Sequence, residues 1–395
     1  MPSSTPGFVG QRLREARQVR GLRAVELAEK LGVSAQAVSS YETGKKSPSP
    51  EIADAIASTL SMPAHFFTLP PRPESDKPVF YRSMSAATKT ARRRAEFRQR
   101  WLEDLTKYLG TFVEFPEIRL PEFDLPDNPL LIADDEIERL AEDARQAWRM
   151  SAIPIANMVT LLENQGVVVA RDKLGAATLD SLSKYGDRPY IIIGTDKGTA
   201  VRWRFDAAHE LGHLLLHRNI NPRELTEPAQ FKQIENQAHR FAAAFLVPMA
   251  TFAEEFFSAS LDALRAMKPR WRVSIAMMIK RARDGDLISE QHETRLWINY
   301  SRRGWRRAEP LDDTLDAEKP RLLRSAVELT FSQGGQRGSD LSHAVSLADA
   351  DIESLCGLPA RFLRDADAPP VSLRSSKPSN VYQFRSQLHH GLGRS

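Results

Sequence analysis

The pentapeptide HELGH at positions 209–213 constrains the fold of this chain more than any other segment. It places His209 and His213 four residues apart, with Glu210 directly after the first histidine. On an α-helix, residues i and i+4 share one face and lie one turn apart. Two imidazoles on one face can bind the same metal ion, and the carboxylate beside them can act as a general base. The spacing therefore predicts a helix that carries two ligands and the base of a zinc hydrolase.

The residues around this motif indicate a buried helix. In the segment RFDAAHELGHLLLHR, Asp206 is a candidate N-cap, and the leucines and alanines supply an apolar surface. Gly212 costs about 1 kcal/mol in a helix interior, so its presence predicts a close approach of another backbone. The alternative is a core helix whose two histidines only form hydrogen bonds with their neighbours, and the motif alone leaves that alternative open.

A catalytic zinc site needs a third protein ligand and one open position. The downstream segment 233–248 (QIENQAHRFAAAFLVP) is predicted to be a helix that ends at its proline, and in it Glu235 and His239 share one face. We expect Glu235 to be the third ligand, with His239 as the alternative. His217 lies one turn after His213, but three ligands in a row on one straight helix cannot surround a single ion. His217 is therefore expected to support the ligands or to be structural.

Together these residues resemble the ImmA/IrrE family of bacterial metallopeptidases. The matching pattern is HELGH followed by E-x-x-A-x-x-F-A-A and a proline, with the strand-like PYIIIG at 189–194 before it. The resemblance implies a small α+β, zincin-like domain. It also implies a Zn²⁺ site with the ligands His209, His213 and Glu235 and the catalytic base Glu210. The chain differs from the family where His239 and Gly194 replace frequent asparagines.

The N-terminal segment 8–61 contains four short helical patterns in quick succession. Ser34 is placed to cap the third, SAQAVSSYETG, and Pro50 begins the fourth at a favoured position. This arrangement indicates a compact helix-turn-helix unit. The segments LAEKLGVS and VSSYETGKKSPS resemble the XRE family, the DNA-binding domains of the Cro and phage-repressor type. The resemblance implies a double-stranded DNA operator as the partner, bound by a homodimer at a two-fold site.

The third of these helices is expected to lie in the major groove. Its outward side chains and the lysines after it are the candidate DNA contacts: Gln36, Ser39, Ser40, Lys45 and Lys46. Glutamine can form two hydrogen bonds with adenine, serine can reach bases or phosphates, and lysine attracts phosphate. Arg23 stands where the family often has a Ser or Thr cap, which predicts a weaker start to the second helix. The alternative is a protein-binding module whose polar residues are merely solvated.

Charge and cysteine content restrict the remaining functions. The 395 residues carry a net charge of +4, and the stretch 89–100 has six Lys and Arg residues against Glu96. This basic helix is expected either to contact phosphates or to be a solvated face or inter-domain strut. The lone Cys356 excludes an internal disulfide and a cysteine-rich metal site. No 18-residue apolar run and no signal-peptide core are present, so we expect no membrane span and a cytoplasmic location.

The fold class predicted for the whole chain is mainly α. The predicted parts are an all-α helix-turn-helix domain at 1–67, a linker with the basic helix at 68–129, a central α+β zincin-like metallopeptidase domain at 130–255, a helical C-terminal region at 256–369, and a disordered tail at 370–395. Prolines mark the linker. In the C-terminal region, Trp271 and Met277 are predicted to be core residues.

Three functions agree with these features. The first is a DNA-binding transcriptional regulator whose zinc metalloendopeptidase, of the HExxH type, cleaves a repressor-type protein or the chain itself. The second is a transcription factor whose zinc fold is a non-proteolytic sensor, and the third is an antitoxin or phage-defence regulator that binds a partner protein. A peptidase also needs a donor to the developing oxyanion, and the candidates are Tyr185, Tyr190, Arg202 and Arg204.

Overall fold

The computed structural model describes residues 5–72, 77–82, 89–126, 128–175, 179–221, 225, 227–366 and 382–383. Most of these residues are helical, which confirms the predicted mainly α class. The α-helices are α1 (Gly10–Val19), α2 (Ala24–Leu31), α3 (Ala35–Glu42), α4 (Pro50–Leu60), α5 (Lys89–Leu109), α6 (Asp134–Ala147), α7 (Met158–Asn164), α8 (Ala200–Leu216), α9 (Pro228–Leu246), α10 (Met249–Glu255), α11 (Leu261–Trp271), α12 (Ile275–Asp284), α13 (Glu290–Arg302), α14 (Leu322–Ser332), α15 (Gly338–Val345), α16 (Asp349–Cys356) and α17 (Phe362–Asp365). Two short 3-10 helices cover Ala64–Thr68 and Pro129–Leu131.

A small mixed sheet forms the centre of the α+β domain. The strands are β1 (Val79–Tyr81), β2 (Val113–Glu114), β3 (Val168–Asp172), β4 (Ser181–Tyr185), β5 (Pro189–Gly194) and β6 (Tyr382–Gln383). Four of them form one sheet in the order β1-β4-β5-β3. β3 and β5 run parallel, whereas β4 is antiparallel to both of its neighbours. β2 and β6 form a separate parallel pair.

Helices α1–α4 form the predicted helix-turn-helix unit. Their core consists of buried apolar residues at helical spacing: Leu13, Ala16, Leu27, Val38, Ile56 and Leu60. The Ser34 hydroxyl accepts a hydrogen bond from the Ala37 amide at 3.1 Å, which confirms the predicted cap of α3. Gly32 ends α2 in the left-handed conformation that glycine adopts without strain.

The start of α2 is better supported than the sequence indicated. Arg23 offers no side-chain acceptor, because a guanidinium group only donates. The Glu26 carboxylate nevertheless accepts a hydrogen bond from the Arg23 amide at 2.7 Å, which is one half of a capping box. The other half is missing, so a cap is present but incomplete.

The central sheet has two apolar faces, because successive side chains of a strand point to opposite sides. On one face, Val169 of β3 and Ile191 of β5 belong to a core shared with α6–α9. On the other face, Val168 and Ile192 belong to a core shared with α5, the C-terminal helices and the helix-turn-helix unit. The sheet therefore lies between the α8–α9 layer and the helix-turn-helix unit.

The segment 68–129, predicted to be a linker, contributes to the folded core. β1 forms an edge of the sheet beside β4, and Trp101 of α5 is fully buried. Arg98 of α5 lies in the same core and pairs with Asp172 of β3 and Asp351 of α16. Because these apolar and charged groups all contact other elements, the structure supports an inter-domain strut for the basic helix.

The C-terminal region divides between the two layers. α10–α13 extend the core beside α8 and α9, with Trp271 and Met277 buried as predicted. α14–α17 cover the opposite face of the sheet, where Cys356 is buried. The predicted tail at 370–395 lies outside the described residues, except for the strand pair at 382–383. Within the parts of the chain that the structure describes, no helix is long and apolar enough to cross a membrane.

Candidate metal centre

The helix that carries the HELGH motif begins earlier than the sequence indicated. α8 starts at Ala200, so Asp206 is not its N-cap but a buried residue of its second turn. That prediction was wrong because Val201 and Phe205 extend the apolar face of the helix toward its N-terminus. Asp206 instead pairs with Arg82, which follows β1.

Three candidate ligand groups converge between α8 and α9. The Nε2 atoms of His209 and His213 are 3.1 Å apart, and Oε1 of Glu235 lies 3.1 Å from Nε2 of His213. The other oxygen of Glu235 lies 3.5 Å from Nε2 of His209. Ligands about 2.0–2.2 Å from a tetrahedral zinc ion are roughly 3.3–3.6 Å apart. The spacing of the three groups therefore fits one divalent ion.

A chain of hydrogen bonds determines which nitrogen of His213 carries a proton. The amide nitrogen of Gln237 donates to two backbone carbonyls at 2.8 and 3.2 Å, so the amide oxygen faces His217. Nε2 of His217 donates to that oxygen at 2.9 Å, and Nδ1 of His217 accepts from Nδ1 of His213 at 3.1 Å. The remaining nitrogen of His213, Nε2, thus keeps a lone pair directed at the other two ligand groups.

The charge state of the three groups also suits a cation. Burial lowers the pKa of His209 to about 3, so this imidazole is neutral at pH 7. Burial opposes ionisation of Glu235, but its interactions with the imidazoles of His209 and His213 outweigh burial and hold its pKa below the ordinary value. The Nε2 atoms of His209 and His213 and the carboxylate of Glu235 then direct lone pairs to a common point. Such lone pairs repel one another unless a positive ion lies between them.

The two helices of the site approach closely at Gly212. A Cβ atom at this position would lie 3.2 Å from both the Cα and the carbonyl oxygen of Ala238. It would also lie 3.3 Å from the ring of Phe241. The close backbone approach predicted for Gly212 is therefore confirmed, and it lets Glu235 of α9 reach the histidines of α8.

Glu210 is fully buried and faces the sheet. Its two carboxylate oxygens accept hydrogen bonds from the hydroxyls of Ser181 and Ser183 on β4, at 2.6 and 2.5 Å. Burial raises the pKa of Glu210, while the interaction with His213 and the two hydroxyls act in the opposite direction. Sequence reasoning missed both serines, although their i, i+2 spacing on a strand places them on one face.

The two other histidines near the motif lie outside the group of ligand atoms. His239 packs on Phe205 with ring centroids 4.7 Å apart, and its ring centroid is 6.4 Å from that of His209. His217 bonds to His213, in agreement with a supporting role. The geometry therefore favours Glu235 over His239 as the third ligand.

Sequence reasoning also missed Arg82. Its guanidinium lies 5.0 Å from the centroid of the Phe205 ring, and it pairs with Asp206. It interacts electrostatically with both Glu210 and Glu235, while burial lowers its own pKa to about 10. No local pattern marks this arginine, because β1 joins the sheet by pairing with a strand that is distant in the sequence.

The four candidate oxyanion donors have partners outside the group of ligands. These partners are Glu318 for Arg204, Asp180 for Arg202, Asp187 for Tyr190 and, through a cation–π contact, Arg218 for Tyr185. Arg202 remains exposed, whereas Arg204 and Tyr190 are buried. Arg82 is therefore better placed than any of the four to stabilise negative charge near the metal centre.

The candidate DNA contacts lie on an accessible surface of the helix-turn-helix unit. Four of the five are exposed: Gln36, Ser39, Lys45 and Lys46. Ser40 is half-buried, and its hydroxyl donates to the carbonyl oxygen of Gln36 at 2.8 Å. Val38, on the other side of α3, is fully buried. The helix thus keeps one face for the core and one for a partner.

Comparisons with known families agree with both parts of this description. Residues 162–283 match the peptidase family model described as IrrE N-terminal-like domain, and residues 13–67 match the model described as helix-turn-helix. No curated protein matches the chain. The fold and the site resemble a metallopeptidase-like α+β domain joined to a helix-turn-helix unit. The chain is similar to a fusion of an XRE-type helix-turn-helix domain with an ImmA/IrrE-like domain, and the peptidase match extends past the predicted boundary at 255 into α12.

Proposed function

We propose that this protein is a DNA-binding transcriptional regulator whose zinc-dependent metallopeptidase domain cleaves a repressor-type protein or the chain itself. The observation that carries the proposal is the convergence of two imidazoles and one carboxylate near Glu210. The IrrE-like match supports the peptidase chemistry, and the helix-turn-helix match supports DNA as a partner. A DNA partner also supports action in the cytoplasm.

The chemistry is divided among a few residues. His209 and His213, through Nε2, and Glu235, through its carboxylate, would hold the ion. When bound, zinc supplies Lewis acidity that lowers the pKa of water and polarises a peptide carbonyl. Glu210 would accept a proton from water on its carboxylate and later donate it to the amine of the leaving peptide. Arg82 would supply positive potential for negative charge that develops on the substrate.

One observation favours a second candidate, a zinc fold that acts as a sensor or a structural centre without proteolysis. Both oxygens of Glu210 already accept serine hydroxyls, so this carboxylate connects α8 to β4. In the second candidate, that connection is the whole role of Glu210. In the first, the carboxylate keeps its remaining lone pairs for the proton of water.

A comparison of the wild type with Glu210→Gln distinguishes the two candidates. Glutamine has nearly the same shape and can still bond to Ser181 and Ser183, but it cannot accept a proton as a base. We expect about one zinc per chain in both purified proteins. In cells, sequencing of protein N-termini by mass spectrometry should find new, zinc-dependent cleavage sites with the wild type alone. Identical sets of N-termini, with regulation unchanged, would support the non-proteolytic candidate instead.

We further propose that two chains bind a two-fold operator. Gln36, Ser39 and Ser40 would contact bases, and Lys45 and Lys46 would contact phosphates. The exposure of four of these residues and the helix-turn-helix match support this assignment. A footprint should show two half-sites about 34 Å apart along the DNA. Protection of one unpaired half-site would contradict the dimer.

A further inference from the structure

A cavity of about 530 Å³ lies beside the metal centre. Its wall nearest the ligands is formed by Phe205, one turn before His209 on α8, and His239, one turn after Glu235 on α9. The ring centroids of Phe205 and His239 are 6.5 and 6.4 Å from that of His209. The cavity is therefore one side chain away from the candidate ligands. The rest of its lining comes from Arg82, the segment 197–202 before and at the start of α8, the N-terminal part of α12, the end of α13 and the segment 305–312.

The lining of the cavity is strongly cationic. Its charged residues are the cations Arg82, Lys197, Arg202, Lys280, Arg306 and Arg307 and the carboxylates Glu309 and Asp312. Both carboxylates accept hydrogen bonds from the buried Lys268, at 2.8 and 2.6 Å, so their charge is already compensated. Three of the cations pair with Asp180 or Asp206. When the partners Lys268, Asp180 and Asp206 are added to the lining residues, the total is seven cations and four carboxylates.

The positive charge is placed to meet a ligand that enters from solvent. Lys280 and Arg307 are exposed, and the ion pairs among the described residues include neither of them. Phe205, Met277, Tyr300 and Trp305 supply an apolar part of the lining. The guanidinium of Arg82 lies 5.0 Å from the centroid of the Phe205 ring. Positive charge is therefore also present at the wall that separates the cavity from the ligands.

We propose that this cavity is a specificity subsite that accepts an acidic side chain of the peptide substrate; the inference rests on the proposed peptidase function. An extended peptide advances about 3.3 Å per residue, so a side chain two or three residues from the cleaved bond would reach the cavity. Guanidinium and ammonium groups bind carboxylates through charge-assisted hydrogen bonds. The apolar lining suits the methylene groups of that side chain or an apolar neighbour. The substrate class is therefore a peptide segment with Asp or Glu close to the cleaved bond.

Binding of matched peptides tests the subsite. The protein is the zinc-loaded full chain with Glu210→Gln, so that the probe is not consumed. The probes are two fluorescent decapeptides with capped ends that differ only in having two aspartates or two asparagines near the centre. Fluorescence anisotropy should show at least about tenfold tighter binding of the aspartate peptide. That preference should decrease as salt is added, because exposed charges are screened.

Substitutions locate the preference in the cavity. Lys280→Gln together with Arg307→Gln should weaken binding of the aspartate peptide at least about tenfold and leave the asparagine peptide unchanged. Arg295→Gln is the matched control, because Arg295 is an exposed residue of α13 that does not line the cavity. Zinc content and thermal unfolding of each variant verify that the fold is retained.

Two outcomes would overturn the subsite. One is equal affinity of the aspartate and asparagine peptides. The other is binding of free succinate, lost in the double variant, with the same affinity as the aspartate peptide, since the cavity would then hold a small anion. Because binding is measured without cleavage, failure of the proposed function is a separate result. A preference for the acidic peptide without any cleavage by the wild type would contradict the peptidase function but leave the binding of acidic side chains in the cavity established. Cleavage without that preference would support the peptidase function and contradict the subsite.

Discussion

The proposed recognition helix α3 and the proposed metal-site helix α8 hold their candidate functional side chains in opposite surroundings. On α3, Gln36 and Ser39 are exposed and lie on the face away from the core. On α8, His209, Glu210 and His213 are all buried, and each has a polar atom within 3.1 Å of a side chain from another turn or another element. On α3, different side chains therefore serve binding and the stability of the fold, whereas on α8 the same side chains serve both.

This difference follows from the partner of each helix. DNA lies outside the protein, so its contacts must remain in solvent until binding. A metal ion requires deprotonated ligands held in fixed geometry by a supporting hydrogen-bond network, which a folded interior provides. Substitutions on α3 should therefore alter affinity alone, whereas substitutions around α8 should alter affinity and folding together.

The largest effect is expected for His213→Ala. It removes a ligand and leaves His217 without the partner that lies 3.1 Å away. Zinc should fall from about one per chain to nearly none, as measured by elemental analysis. The free energy of unfolding should fall by more than about 5 kcal/mol, of which about 4 is the contribution of zinc at a thousand times its Kd. The remainder comes from the cavity and the unpaired imidazole.

Substitutions of two other histidines provide comparisons for that result. His217→Gln should keep zinc but weaken its binding about 10–100-fold, because His217 holds the ligand rather than the ion. His343→Ala should leave zinc content unchanged, since His343 is an exposed residue of α15. Full zinc content in His213→Ala would end the assignment of His213 as a ligand.

The second effect concerns the ion network that joins α1, α5 and α16. Asp351 of α16 accepts hydrogen bonds from Arg20 of α1, at 2.7 and 2.9 Å, and from Arg98 of α5, at 2.5 Å. Asp351→Asn should lower the free energy of unfolding by about 3–5 kcal/mol, because the buried guanidinium of Arg98 and the partly buried one of Arg20 lose a charged partner. Urea denaturation measures this loss. Glu328→Gln, in an exposed pair with Arg324, is the control and should cost at most about 1 kcal/mol.

The same variant has a defined pH dependence. Burial raises the pKa of Asp351, but Arg20 and Arg98 outweigh burial and hold the pKa below its ordinary value. The stabilisation by Asp351 is therefore present above the unfolded-state pKa of about 4 and is lost as the pH falls through the folded-state pKa. The difference in stability between the wild type and Asp351→Asn should shrink below about pH 4. A constant difference would assign the loss to packing instead of charge.

The third effect tests α3. Gln36→Ala should weaken binding of the best DNA site by about 1–3 kcal/mol, because an exposed amide that can form two hydrogen bonds with adenine is removed. The DNA is selected from random sequences by the wild type, and electrophoretic mobility shifts measure the affinity. The thermal midpoint should not change. Lys45→Gln should instead reduce the slope of affinity against salt by about 0.9, with sequence preference unaltered. A lower thermal midpoint in Gln36→Ala would break the contrast with α8.

The sequence predicted those parts of both sites that are local. His209 and His213 lie one turn apart on a single helix, and Gly32 and Ser34 mark the end of α2 and the start of α3, so short-range spacing was sufficient. Glu235 was also predicted, because its helix follows within the same α8–α9 pair.

The rest depended on pairing between distant segments. Arg82 and the serines of β4 reach the site through the sheet, whose pairing β1–β4 has no marker in the sequence. The role of α5 was ambiguous because a basic composition describes both a phosphate-binding surface and a strut. The ion pairs of Arg98 favour the strut over the phosphate-binding surface. Its partners, Asp172 and Asp351, lie in segments remote from α5.

The smallest effect links stability and binding on the DNA-contacting unit. Arg23→Ser would add the missing side-chain acceptor at the start of α2, where Glu26 already bonds to the backbone of residue 23. We expect a gain of about 0.5–1 kcal/mol in the free energy of unfolding. Because Arg23 is an exposed cation, DNA affinity should become less salt-dependent by roughly one phosphate contact. A gain in stability with unchanged salt dependence would exclude Arg23 from the DNA surface, and a loss of stability would show that the arginine itself supports the turn.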